Sequence, residues 1–202
     1  MVSALPPPSS REPGRRTRSD ASERILRAAV RCIVNSGATD LTLNEVAEEA
    51  AVSKGLIHYH FHDKDTLLAR VVEYMARSMV ARESAALAKS VPRHAIEDLW
   101  TWLSGELGRR HIRVLIELAE WRSPLIQGSI RVAALARRES AAASADRLFG
   151  LLGLKPRVPV ELLAGVIVAF IDGLAVSASM DADQNARVSF DVFWLSLLSI
   201  AE

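Results

Sequence analysis

The chain has 202 residues, half of them hydrophobic, with 25 lysines and arginines against 24 acids. That length allows one large core, or two small domains sharing a helix. No run of about 18 residues is purely apolar, so no membrane-spanning helix is expected, and a single cysteine excludes an internal disulfide or a cysteine-built zinc site.

The near-neutral total hides an asymmetry. Residues 1–36 carry seven arginines against three acids, whereas from residue 71 onward 15 basic residues balance 15 acidic ones. A basic leading segment on a neutral body suits a protein that touches phosphate with one end, although a solubilising tail has the same composition. Residues 1–18, rich in Pro, Ser and Arg, are expected to be a disordered basic arm, whose Arg15, Arg16 and Arg18 suit a minor groove. Pro6-Pro7-Pro8 interrupts the place where a secretory apolar block would begin, so a cytoplasmic location is expected.

Helical periodicity then holds almost to Glu202 and no strand is expected: the fold class is all-α, with about nine helices. Asp20 and Glu23 make a capping-box-like start. Ile25, Ala29 and Ile33 form an apolar stripe, with Cys32 read as a small core residue, and Asn35-Ser36-Gly37 stops the helix. Thr42 and Glu45 form a second capping box, opening a two-turn helix through Ala50 with Val46, Ala47 and Ala50 inward. A turn at Ala51-Val52 follows, and Ser53 caps a short third helix ending near Tyr59 or His60. Two short helices joined by so brief a turn, behind a supporting helix, make a three-helix DNA-reading unit over 19–65.

Asp63 caps a long helix, about Lys64 to Lys89, striped with Leu67, Leu68, Val71, Val72, Met75 and Met79. A helix from Pro92 closes at Gly108, and His111 to Trp121 is short and apolar. Ser123-Pro124 opens a helix to Leu152. Two strongly hydrophobic helices, Val160–Met180 and Gln184–Ile200, end the chain, split by Asp181-Ala182-Asp183. Leu162, Leu163, Val166, Ile167, Phe170 and Leu174 on one, with Phe190, Phe193, Trp194 and Leu197 on the other, are expected to form a four-helix dimer interface, and Gly165 and Gly173 to permit close approach. Asp172 in so apolar a helix needs a partner.

The run Thr42-Leu43-Asn44-Glu45-Val46-Ala47-Glu48-Glu49-Ala50-Ala51-Val52-Ser53-Lys54-Gly55-Leu56-Ile57-His58-Tyr59-His60-Phe61, followed by Asp63-Lys64-Asp65-Thr66-Leu67-Leu68, resembles the TetR family of bacterial regulators from Glu23 to Ala69. The run Phe170-Ile171-Asp172-Gly173-Leu174 and the residues before it are similar to the choline-responsive repressor subgroup. The resemblance implies a homodimeric transcriptional regulator, by family habit a repressor, that binds double-stranded DNA at a palindromic operator. It further implies a small-molecule effector that releases the DNA, bound within 66–202. Two positions depart from the family pattern: Ala51 stands where glycine is common, and His58 where tyrosine is usual.

The residues expected at DNA are Thr42, Ser53, Lys54, Gly55, Leu56, His58, Tyr59, His60 and Lys64. The N-terminal residues of a reading helix reach base edges, and Ile57 shares that stretch. Lys54 suits a guanine contact or a phosphate link equally. Gly55 serves close backbone approach or turn geometry. Thr42 and Ser53 lie at helix N-termini, where phosphate is favoured and capping is the competing role. Lys64 opposes the helix dipole and so calls for a partner, phosphate being one. The middle helices hold Trp100, Trp102 and Trp121 with His111 and Glu117. The ligand set expected there is Trp100, Leu103, Glu117, Trp121 and Phe170, and Glu117 or Glu120 beside Trp121 would suit a cationic ligand. Residues two apart on a helix diverge by about 200°, so His58, His60 and His62 are not read as a metal site. No cofactor is expected, and no nucleophile–base pair or phosphate-cradling loop suggests an enzyme.

Overall fold

The computed structural model describes residues 13–180 and 185–202, the backbone alone at 13–19 and 179–180. Its helices are α1 (Pro13–Ser36), α2 (Leu43–Ala50), α3 (Lys54–Phe61), α4 (Lys64–Ala88), α5 (Ala95–Arg109), α6 (His111–Ala119), α7 (Pro124–Leu152), α8 (Val160–Met180) and α9 (Ala186–Ser199), with a 3-10 turn at Pro92–His94. Among the described residues there is no strand, only an isolated bridge between Pro156 and Ala201 that ties the chain end to the α7–α8 loop. The all-α expectation therefore holds.

α1 starts well before the expected Asp20. Proline suits a first helical turn, and nothing between Pro13 and Asp20 stops the helix, so Asp20 and Glu23 lie inside it, Glu23 paired with Arg27 one turn on. Of the expected disordered arm, residues 13–18 are thus helical, while 1–12 and the turn at 181–183 lie outside the described residues. α1 ends at Gly37, whose φ of +85° favours glycine.

The Thr42 capping box forms in full. The Thr42 hydroxyl accepts from the Glu45 amide at 3.2 Å, and the Glu45 carboxylate accepts from the Thr42 amide at 2.9 Å. Ser53 and Asp63 cap α3 and α4, accepting from the Leu56 and Thr66 amides at 3.2 and 2.7 Å. Between α2 and α3, Ala51 adopts φ 52° and ψ 52°, and the amides of Ala51 and Val52 return to Glu48 and Ala47. The Arg24 guanidinium donates to the Ala50 and Ala51 carbonyls at 2.9 and 3.3 Å, neutralising the negative end of α2 and fixing the turn against α1.

Further along, α5 ends not at Gly108 but at Arg110, which takes the left-handed conformation itself. Ser123 precedes α7 without a capping hydrogen bond from its hydroxyl. α4 packs along α7, and α7 along α8, while α6 touches α1, α4, α7 and α8. Val160–Ala178 averages a hydropathy of 2.0, so α8 is apolar and long enough to cross a membrane, contrary to the expectation. Its own residues explain the composition: Leu163, Ile167, Ile171 and Leu174 are buried within this chain, and Asp172 pairs with Arg137 of α7.

Because alanine pays about 1 kcal/mol for a left-handed backbone, Ala51→Gly is expected to raise unfolding stability by about that amount in a denaturant titration. An unchanged or lower midpoint would contradict the turn geometry.

Candidate functional site

α3 buries Ile57 and Phe61, packing on α2 and α4, and turns its other faces outward. Thr42, Ser53, Lys54, Gly55, His58 and Tyr59 are exposed, and Leu56, His60 and Lys64 half-buried. Ile57 is a core residue, because its place one turn before Phe61 puts it on the buried stripe. Gly55 lies in ordinary helical backbone, and a Cβ there would meet nothing closer than Ser53 Oγ at 3.9 Å. The protein's own packing therefore does not require glycine at this position.

Four more of the residues expected at DNA have partners within the chain. Nδ1–H of His58 donates to the His62 carbonyl at 2.9 Å, closing the end of α3. The Tyr59 and His60 rings meet edge to face, 5.2 Å apart. Lys64 Nζ donates to the Thr39 carbonyl at 2.8 Å and lies 5.5 Å from the centre of the Trp121 ring. The partner that a cation at a helix N-terminus calls for is thus supplied from within the chain.

Of the expected ligand residues, Leu103 and Phe170 line a small cavity of about 20 Å³, bounded by α4, α5, α7, α8 and α9. Trp100, Glu117 and Trp121 do not line it. Trp100 packs on Phe190 outside it, under the Arg187 guanidinium. Glu117 accepts the amide of the fully buried Ala38 at 2.7 Å, so its carboxylate serves the α1–α2 loop, and Trp121 is occupied by Lys64. The idea of Glu117 facing a cationic ligand beside Trp121 is corrected accordingly. His111 is half-buried beside the Arg82–Glu106 ion pair and accepts from Arg82 through Nδ1 at 3.4 Å; burial lowers its pKa.

The cavity also brings in Phe193 and Trp194, expected at the dimer interface, and Glu83 and Ser144, which the sequence pattern had not singled out. Phe170 and Phe193 stack in parallel at 4.0 Å, and Trp194 meets Phe193 edge on. Glu83, only 7% exposed, lines the cavity with Ser144 and Trp102. The Ser140 hydroxyl donates to Glu83 at 2.6 Å, and Ser144 bonds it as well. Burial raises the Glu83 pKa, and the serine hydrogen bonds pull the other way. A signal for Glu83 existed in the sequence: it falls one turn after Met79 and one turn before Leu87, an acid in register with an apolar stripe.

A three-helix unit that presents the start of its last helix outward, joined to a helical body holding a lined cavity, defines a DNA-binding transcriptional regulator. The profile described as bacterial regulatory proteins, tetR family, matches residues 25–71. The HTH-type transcriptional regulator BetI of Brucella anthropi is 26% identical over 164 residues, 79% of this chain and 81% of that relative. Among solved structures, a TetR-family regulator from Rhodococcus sp. superposes with a TM-score of 0.73 at 18% identity, covering 90% of this chain and 98% of that one. FadR from Bacillus subtilis, in complex with stearoyl-CoA, gives 0.67 at 18%, covering 88% and 97%. The chain is similar to TetR-family regulators, in its reading unit by the family profile and over most of its length by these relatives.

A buried acid with a raised pKa contributes most to stability below the ordinary carboxyl value, near 4.5, and loses that contribution as pH rises through its folded value. Glu83→Gln is therefore expected to raise the melting temperature at pH about 8, with the gain shrinking toward pH about 4. A gain that does not vary with pH would contradict the burial of this carboxyl.

Proposed function

We propose that the protein is a homodimeric repressor that holds a palindromic operator through two copies of α3 and releases it when a small molecule enters the α4–α9 cavity. The observation that carries the DNA contact is Gly55. Its open surroundings leave the smallness of the residue without an internal purpose, and a helix lying in a major groove supplies one, since a Cβ would stand between backbone and DNA. Lys54 and Leu56 flank it for base edges, with Lys54 also within the reach of phosphate. Thr42, Ser53 and Tyr59 lie at the rim for phosphate, each capping hydroxyl keeping its local bond. His58 and His60 add polar contacts from the C-terminal half of α3. Lys64 acts through its neighbours, holding Thr39 and Trp121, and contacts DNA less directly than its position alone suggests. The expected division into a reading unit over 19–65 and an effector and dimer unit over 66–202 fits this assignment, with α4 shared by both. A cytoplasmic location fits a protein that acts on DNA.

Two exposed stripes support the dimer. On α8, Leu162 and Val166 are 66% and 55% exposed; on α9, Val188, Val192 and Leu195 are 53%, 58% and 69% exposed. The i, i+4, i+7 spacing on α9 puts all three on one face. Gly165 and Gly173 have no atom within 4 Å of a built Cβ, which leaves room for a second copy. The buried members of the earlier interface set, such as Leu163, Ile167, Phe190, Trp194 and Leu197, serve this protomer's own core.

Glu117 and Trp121 support the release mechanism. Both are on or next to α6, and they hold the α1–α2 loop and the first turn of α4. A ligand that displaces α6 or α4 reorients the reading unit, by no more than its differential affinity for the two arrangements.

Gly55→Ala gives two effects of opposite sign. Helix propensity raises the folding stability by roughly 0.5–1 kcal/mol, while affinity for DNA recovered from a random-duplex selection falls. Stabilisation with undiminished DNA binding would contradict the groove assignment, and recovery of no preferred sequence would overturn the regulator itself. Leu195→Glu is expected to convert the dimer to monomers in analytical ultracentrifugation; an unchanged dimer would place the interface elsewhere.

A further inference from the structure

An open groove of about 530 Å³ runs between α1 and α4 and shares no residue with the α4–α9 cavity. Its size falls among small-molecule sites, which span about 300–1,000 Å³. Arg70, Tyr74, Arg77 and Ser78 reach it from α4, at positions that recur on one helical face. Ser22, Glu23 and Leu26 face them from α1.

The groove carries a surplus of positive charge. Glu23 is matched by Arg27. Glu73 is shared by Arg70 and Arg77, at 2.8 and 3.7 Å, and among the described residues neither guanidinium pairs with another acid. Both approach the same oxygen, Oε2, while Oε1 accepts from the Ser129 hydroxyl. Two guanidiniums thus already converge on one point with one positive charge left over. Both arginines are more than half exposed, and an exposed ion pair holds by at most about 1 kcal/mol, so an incoming anion can share them at little cost. Free hydroxyls are a separate observation. Among the described residues the Ser22 and Ser78 hydroxyls have no hydrogen-bond partner, and the Tyr74 hydroxyl accepts from Arg27 Nε at 3.3 Å with no acceptor for its own proton.

We infer that this groove binds a phosphate monoester with a sugar-sized polar body. Arg70 and Arg77 hold the phosphate together with the Tyr74 and Ser78 hydroxyls, and Ser22 and Glu23 bond the hydroxyls of the body. The planar guanidinium fork matches phosphate geometry. Three phosphate oxygens can accept from two forks and two hydroxyls, whereas a carboxylate offers only two oxygens. The apolar wall is small, Leu26 and Ala81, which suits the carbons of a sugar and not a long acyl chain. α1 belongs to the reading unit and α4 to both halves, so an occupant braces one against the other. The chemistry of the groove does not depend on what α3 binds.

The test is calorimetric titration of the full chain in about 0.15 M salt, with ribose phosphate, ribose sulfate esterified at the same hydroxyl, ribose and inorganic phosphate as probes. Ribose phosphate is expected to bind about tenfold or more tightly than ribose sulfate or inorganic phosphate, and ribose not detectably. Arg70→Gln and Arg77→Gln should each weaken ribose phosphate about tenfold. Ser22→Ala should weaken ribose phosphate and leave inorganic phosphate unchanged. Arg93→Gln, at an exposed arginine outside the groove, should change neither. Equal binding of the probes, no binding of ribose phosphate at about ten millimolar, or an equal loss in Arg93→Gln overturns the inference. The ranking on the unaltered chain decides even if a variant does not fold. Weaker binding of a selected DNA duplex by Arg77→Gln, with ribose phosphate unbound, would give the groove to the DNA backbone and overturn the small-ligand assignment. Ribose phosphate bound by a chain that selects no DNA would keep the groove assignment and overturn the regulator reading alone.

Discussion

The fold depends on α4 being buried along nearly its whole length. Leu67, Leu68, Val71, Val72, Met75, Met79 and Leu87 are each almost fully removed from solvent, so the helix is pinned to the core by a continuous stripe. At about 1.5 Å per residue, its 25 residues make a rod of about 37 Å. One end is the Asp63 cap beside α3, and the other passes the cavity. Close-packed interiors move as units and do not deform residue by residue.

A second connection runs through α6. Ala38 is fully buried, and its amide finds its acceptor in Glu117, a residue of α6 distant in sequence. Losing that acceptor would strand a buried donor, so the loop before α2 follows α6. The Lys64 ammonium, held between the Thr39 carbonyl and the Trp121 ring, ties the same loop to the start of α4 and the end of α6. Charged and aromatic side chains that look like ligand contacts in a linear reading here join the two halves of the molecule.

Local chemistry made much of this legible in the sequence. The three caps at Thr42, Ser53 and Asp63 depend on side chains reaching amides three residues away, and all three formed where their spacing placed them. The inward residues of α2 and the stripe of α4 followed from helical periodicity alone. What could not be read depends on contacts between distant segments. Nothing near Glu117 says that Ala38 lies opposite, and nothing near Trp121 points to Lys64. The start of α1 was missed because a capping-box pattern at Asp20 is equally acceptable in a helix interior, where Glu23 simply pairs with Arg27. In α8 and α9 the apolar positions were identifiable, but which face meets the rest of the chain and which is left exposed is set by where α7 lies. Glu83 was available from its register in the α4 stripe, and its place on the cavity wall appears only with the helices around it.

The most direct measurement is chemical footprinting of the full chain on a duplex that it selects. Two copies of α3 on one face of DNA should protect two half-sites about one helical turn, or a whole number of turns, apart, in adjacent or successive major grooves. Protection spread evenly along the duplex, or confined to a single half-site, would contradict a paired reading head built on Gly55 and its neighbours.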